Sequence, residues 1–228
     1  MADLRLLGLD TSDSLGQVIA RNGKQDVQNL VEGPCEEGLL PVIEKTLQDC
    51  DLCAHDLDAI ALGLGPGGFT STRVGVSSAK ALAYGLGIPI VGCDSMMLCA
   101  AHLHLQQSPV FVLMRGGRLH INVGVYQVQE ERWQCLLPPE RHSNHRTLVE
   151  RLRAFAQPIC HAVGSMLEDK TTLNTLGQAL PSCILHPEIK NSSMTALLEH
   201  AQHSLDTNHP SLIPIAAVEP IYLSPAVG

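Results

Sequence analysis

Three strand-like runs precede the first helical pattern, and that order is the strongest limit on what this chain can fold into. Residues 4–9 are apolar and stop at Asp10-Thr11-Ser12, a turn-forming triplet. Extended character resumes over 17–20 and breaks at Asn22-Gly23, where a tight hairpin wants positive φ at both central residues. It returns over 25–31. A helix is predicted over 36–48, because Leu39, Leu40, Ile43 and Leu47 follow the 3.6-residue period. Glu36 and Glu37 in its first turn suit the helix dipole, and Pro41 falls early enough to be tolerated. Strands at 58–64 and 88–91 then alternate with helices at 70–85 and 95–106. Gln107-Ser108-Pro109 is the candidate boundary. Beyond it the pattern predicts strands at 110–114, 119–127, 133–137 and 159–163, and helices at 145–156, 166–176 and 193–205. The Pro-rich tail is expected to wrap back over the surface. The order predicts an α/β protein of two related lobes, 1–108 and 109–209, with the tail 210–228 packing on the first lobe.

Composition narrows the function. With 15 basic and 23 acidic side chains the net charge is −8, so the chain by itself is no electrostatic binder of nucleic acid. Aromatic residues make up 3%, too few for a base-stacking platform. The hydrophobic share of 45% and mean hydropathy of +0.10 allow a sizeable aliphatic core. No apolar run approaches the roughly 18 residues of a membrane span, and Met1-Ala2-Asp3-Leu4-Arg5 lacks the basic start of a signal peptide. The eight cysteines mostly sit in apolar stretches, as free buried thiols of a reducing cytoplasm do. Acidity is concentrated in residues 1–100, with 6 basic and 13 acidic side chains against 9 and 10 in the remainder.

The densest motif is Gly65-Pro66-Gly67-Gly68-Phe69-Thr70-Ser71-Thr72-Arg73-Val74-Gly75. A glycine turn between strand and helix serves either as a tight structural turn or as an anion cradle at a helix N-terminus. No Lys-Ser/Thr follows at P-loop spacing. Asp10 and Thr11, at the end of the first strand, could join Gly65, Gly67 and Gly68 in holding a nucleotide or other anion; an ordinary Asx turn explains them as well. Cys50 and Cys53 have the spacing of half a zinc site, without a second half. His102 and His104 diverge if the segment is helical. There is no Gly-x-Ser-x-Gly elbow and no HExxH. These residues assign no catalytic or metal-ligating group.

Leu7-Gly8-Leu9-Asp10-Thr11-Ser12, the glycine block from Leu64 to Gly75, Gly85-Leu86-Gly87-Ile88-Pro89-Ile90-Val91-Gly92 and Glu219-Pro220-Ile221-Tyr222-Leu223 occur in the order found in the bacterial TsaB (YeaZ) family, which this chain resembles. The resemblance is specific over about residues 4–100. It implies an actin-like, RNase H-like (ASKHA) fold of two lobes. It also implies a cytoplasmic, non-catalytic subunit required for threonylcarbamoylation of the tRNA adenosine beside the anticodon, which binds and activates a TsaD-like catalytic paralogue. A TsaE-like ATPase would join, tRNA would bind only through the complex, and the chain alone would form a homodimer. No cofactor or metal would be intrinsic, with ATP or ADP placed at the interface with the partner. Cys35-Glu36-Glu37-Gly38-Leu39 stands where the catalytic paralogue carries His-x-x-x-His, and Leu113-Met114-Arg115 where many members carry Asp-Ala-Arg. The usual Gly-Pro-Gly-Ser-Phe-Thr-Gly is altered as well. On the resemblance, the first two long helices form the docking face, with Leu39, Leu40, Ile43, Phe69, Arg73, Val74 and Lys80 lining it. The rival is an active actin-like ATPase or kinase, or a glycoprotease-like hydrolase, using Asp10 and the 65–70 loop.

Overall fold

The computed structural model describes residues 4–13, 15–103, 105–116, 120–129, 132–207 and 209–223. His104, the second half of the 115–118 turn and the last five tail residues lie outside them. Two compact units emerge: Met1–Ser95 with Ser193–Ile221, and Met96–Ser192 with Tyr222–Gly228.

In the first unit β1 (Arg5–Asp10), β2 (Gly16–Asn22) and β3 (Gln25–Val31) form the expected meander. Helix α1 (Cys35–Asp49), β4 (Ala59–Gly63), α2 (Phe69–Leu86) and β5 (Ile90–Cys93) follow. The sheet order is β3-β2-β1-β4-β5, with β11 (Leu212–Ile213) at the far edge. β1 runs antiparallel to β2 and parallel to β4, and β4 parallel to β5. The central strands are almost wholly apolar because both faces of the sheet are covered. Leu7, Leu9, Ile60 and Leu62 meet Leu39, Ile43, Val76 and Ala79 of α1 and α2. On the other face Gly8 admits Leu197 and Leu198 of α6 (Met194–Thr207); a Cβ at Gly8 would stand 3.1 Å from Leu198 Cδ2. This helix, expected in the second lobe, packs on the first sheet, because its buried leucines match the strand face left bare by α1 and α2.

The second unit repeats the plan. Strands β6 (Val110–Arg115), β7 (Ile121–Gln129), β8 (Arg132–His142), β9 (Cys160–Val163) and β10 (Cys183–Leu185) are ordered β8-β7-β6-β9-β10. β6 is antiparallel to β7 and parallel to β9, as β1 is to β2 and β4. Two sheets with the same order and polarity make this the two-lobed, actin-like α/β fold that the sequence predicts. Helices α4 (His145–Arg153) and α5 (Lys170–Ala179) cover one face through Leu148, Leu152 and Leu176. Among the described residues no helix is long and apolar enough to cross a membrane.

Several local expectations are corrected. Only Gly23 takes positive φ (60°) in the first hairpin, whose central pair is Gly23-Lys24; Asn22 still belongs to the ladder, opposite Gln25. The helix at 95–106 stops early: α3 (Ser95–Ala100) tightens into a 3-10 turn ending at Leu103. The helix at 166–176 divides into a 3-10 turn, Ser165–Glu168, and α5, because the Asp169 carboxylate accepts Thr172 N–H at 2.8 Å and caps a new start. β8 runs through Pro138-Pro139, which an edge strand with a bulge tolerates. β10 and β11 are two short strands that the sequence pattern misses.

Two histidines set an acid limit on stability. His161 stacks on His186, Nδ1 to Nε2 3.1 Å, and burial, then the neighbouring imidazole, holds it below its ordinary value. Burial first, then His209 and His203, does the same to His200. A lowered folded-state value means that the unfolded chain binds more protons in acid. The stability contributed is therefore complete above about pH 6.5 and is lost as pH falls through the folded-state values. The melting temperature is expected to drop between pH 7 and 5. H161Q should make that drop smaller, measured as the difference between variant and wild type across the series.

Candidate functional site

Asp10-Thr11-Ser12 and the 65–70 loop do meet, and the contact is close. Ser12 N–H donates to Asp10 Oδ1 at 2.9 Å, Thr11 Oγ1 to the Ser71 carbonyl at 2.7 Å, and Gly68 N–H to the Ser12 carbonyl at 2.8 Å. Gly65 N–H donates to Ser95 Oγ, and Ser95 N–H returns to the Gly65 carbonyl. The glycines are where the chain has no room for a side chain. A Cβ at Gly67 would lie 1.9 Å from the Ser12 carbonyl oxygen, one at Gly75 2.3 Å from Thr11 Oγ1, and one at Gly63 2.4 Å from the Asp10 carboxyl carbon. Asp10, Thr11 and Ser12 are all buried. The loop is thus packed directly against the end of β1.

Helix α2 leaves this loop with Gly68 as its N-cap and ends at Gly87, whose φ of 69° lets its N–H close on the Ala83 carbonyl. Beside its first turns and the start of α1 lies an open cleft of about 400 Å³, lined by Glu36, Phe69, Thr70, Arg73, Val74, Ser77 and Ser78. The Arg73 guanidinium sits 3.7 Å above the Phe69 ring, an arrangement that holds both side chains upright at the rim. Phe69 and Leu40 are each 60% exposed, although both are large and apolar. Glu36, Ser77 and Ser78 belong to this cleft and carry no distinctive sequence signal.

The predicted docking residues divide. Leu40, Phe69, Arg73 and half-buried Val74 border the open face. Leu39 (1% exposed) and Ile43 (4%) do not, because they fill the core beneath α1. A helix of this period needs its inward stripe for its own sheet, and Leu39, Ile43 and Leu47 form that stripe. Lys80 also leaves the face: its ammonium donates to the Val218 carbonyl at 3.0 Å and the Ala216 carbonyl at 3.5 Å, pinning the C-terminal strap. Ile213, Ile215, Val218 and Ile221 of that strap pack into the first core, a spacing that was legible as an apolar pattern inside the Pro-rich tail. Lys80→Met is expected to cost about 1–2 kcal/mol and to raise hydrogen exchange over 214–221 before any other part of the unit. Exchange in the strap equal to wild type would show that the lysine does not hold it.

Cys35 and Leu39 are both buried, and burial pushes the Cys35 thiol up. Cys50 Sγ faces the carbonyls of Ala20 and Gln25, while Cys53 Sγ bonds Asp56, so the two thiols point to different partners. Among the described residues no three His, Cys, Asp or Glu side chains group as metal ligands would.

The family model described as TsaD, tRNA N6-adenosine threonylcarbamoyltransferase, matches residues 34–158. The tRNA threonylcarbamoyladenosine biosynthesis protein TsaB of Haemophilus influenzae is 27% identical over 98% of this chain and 94% of its own length. The chain belongs to the TsaD family. The TsaB protein of Bacillus subtilis is 35% identical over 104 residues, and this alignment spans only 44% of either chain. Among solved structures, YeaZ from Pseudomonas aeruginosa superposes with a TM-score of 0.77 at 20% identity, covering 96% of this chain and all of that one. At that identity the likeness is one of fold.

Proposed function

We propose that this chain serves formation of threonylcarbamoyladenosine in tRNA as a non-catalytic subunit, by binding and activating a TsaD-like paralogue. The observation that carries the proposal is the open face of α1 and α2. Leu40, Phe69 and Arg73 stand out from it, while the positions corresponding to the paralogue's histidines lie buried beneath. Large apolar side chains left beside a cleft mark a surface that a partner covers, and a cation fixed over a ring is a suitable anchor at its edge. A homologous paralogue offers the same pair of helices, so four helices can meet. The same face would pair two copies of this chain when the paralogue is absent, and a TsaE-like ATPase would bind the assembled pair. Asp10, Thr11, Gly65, Gly67 and Gly68 hold the start of α2 in place; any ATP or ADP belongs to the assembled complex.

Reconstitution tests this. Paralogue, ATPase partner, donor-forming enzyme, tRNA, threonine, bicarbonate and ATP are combined with and without this chain. Modified tRNA is expected only when it is present, and Leu40→Asp with Arg73→Glu should abolish both capture of the paralogue and modification. ATP turnover by the chain alone, lost on Asp10→Asn, would establish the ATPase reading instead.

A further inference from the structure

The net charge of −8 conceals two units of opposite sign. Met1–Ser95 with Ser193–Ile221 carries six basic and sixteen acidic side chains, whereas Met96–Ser192 carries nine basic and seven acidic. The basic excess arises in residues 115–153, with seven arginines against four glutamates, and no lysine occurs from 81 to 169. Within that stretch α4 is the element with the clearest division of faces. Leu148, Val149 and Leu152 are buried, while Arg146, Arg151 and Arg153 are exposed. At about 100° per residue Arg146 and Arg153 are nearly in line, about 10 Å apart along the axis, on one edge of the solvent arc, while Arg151 lies about 140° from Arg146 on its other edge.

The arc has the chemistry of a phosphate reader. Its acids are already engaged: Glu140 takes Arg151 Nε at 3.0 Å and His142 Nε2 at 2.7 Å, and Glu150 takes Arg146 Nε at 3.1 Å. With the Arg146 side chain 88% exposed, such a pair is worth roughly 0–1 kcal/mol and yields readily to a stronger anion. The helix dipole accounts for Arg151 and Arg153 in the last turn. It does not account for Arg146 in the first turn, where a cation opposes the dipole. The arc's other exposed residues, Thr147, Glu150 and Ala154, offer no large apolar anchor of the kind a protein interface centres on. Exclusive use of arginine matches the guanidinium fork to paired phosphate oxygens.

We propose that Arg146 and Arg153 of α4 contact the phosphodiester backbone of tRNA within the complex. The proposal rests on the function given above and adds a direct RNA contact from a chain too acidic overall to bind RNA alone.

The assembled complex carrying R146E/R153E is titrated with an unmodified tRNA transcript over a salt series. Affinity is expected to fall at least tenfold near 0.1 M salt, and the slope of log K against log salt to fall by about 2, one phosphate for each arginine. R146K/R153K should keep most of the slope, and the melting temperature of the free chain should stay put. Unchanged affinity and slope in a complex that forms normally would overturn the proposal. So would a variant that fails to capture a protein subunit yet leaves tRNA affinity intact, since the arc would then read protein. Failure of the wild-type chain to capture the paralogue is a different result; it removes the proposed function and this surface with it.

Discussion

Ile43→Asp is expected to unfold the first unit, at a cost of about 4 kcal/mol or more, while Leu40→Asp leaves folding within about 0.5 kcal/mol and removes capture of the paralogue. The two positions are three residues apart on α1 and look alike in the sequence. Ile43 is 4% exposed and packed among the strands of the first sheet. An aspartate there must either bury a charge without a partner or take up a proton and leave a hydrogen-bonding group unmet, besides vacating the volume of the isoleucine. Leu40 is already in water, and its loss is felt only when a partner arrives. Chemical denaturation followed by circular dichroism gives the first quantity and pull-down the second. A cooperative, near-native unfolding curve for Ile43→Asp would mean that α1 is not seated as described.

Gly67→Ala is expected to cost about 2–4 kcal/mol, a large effect for one methyl group. The new carbon would lie 1.9 Å from the Ser12 carbonyl oxygen, 2.5 Å from its carbon and 2.7 Å from Ser12 Cα. The atoms in the way are backbone at the end of β1, which cannot turn aside as a side chain can. The loop must move instead, taking the start of α2 with it, so Phe69 and Arg73 shift and paralogue capture weakens as well. Gly85→Ala on the same helix is the contrast. No atom lies within 4 Å of a Cβ there, so the change should be neutral or stabilise the helix by up to about 1 kcal/mol. Equal stabilities for the two variants would show that the glycine loop is looser than its contacts imply.

What the sequence by itself determined was local and periodic. The meander, α1, α2 and α4 follow from alternation, helical spacing and turn residues, each of which is a property of neighbours along the chain. The α/β class follows from their order, and the family from the glycine block and its flanking strands. The tertiary structure decided the rest, because burial depends on what lies across the sheet. An apolar stripe on α1 has two sides, and only the packed sheet shows that Leu39 and Ile43 turn inward while Leu40 turns out. The cation at Lys80 was expected to face a partner; the strap that it pins comes from residues 136 and 138 positions further on, beyond the reach of any local pattern. Helix α6 joins the first unit for the same reason: Gly8 leaves a gap that Leu197 and Leu198 fill. The arginines of residues 115–153 could be counted in advance, but that Arg146 and Arg153 share one exposed edge of α4 required knowing which of its faces the second sheet had taken.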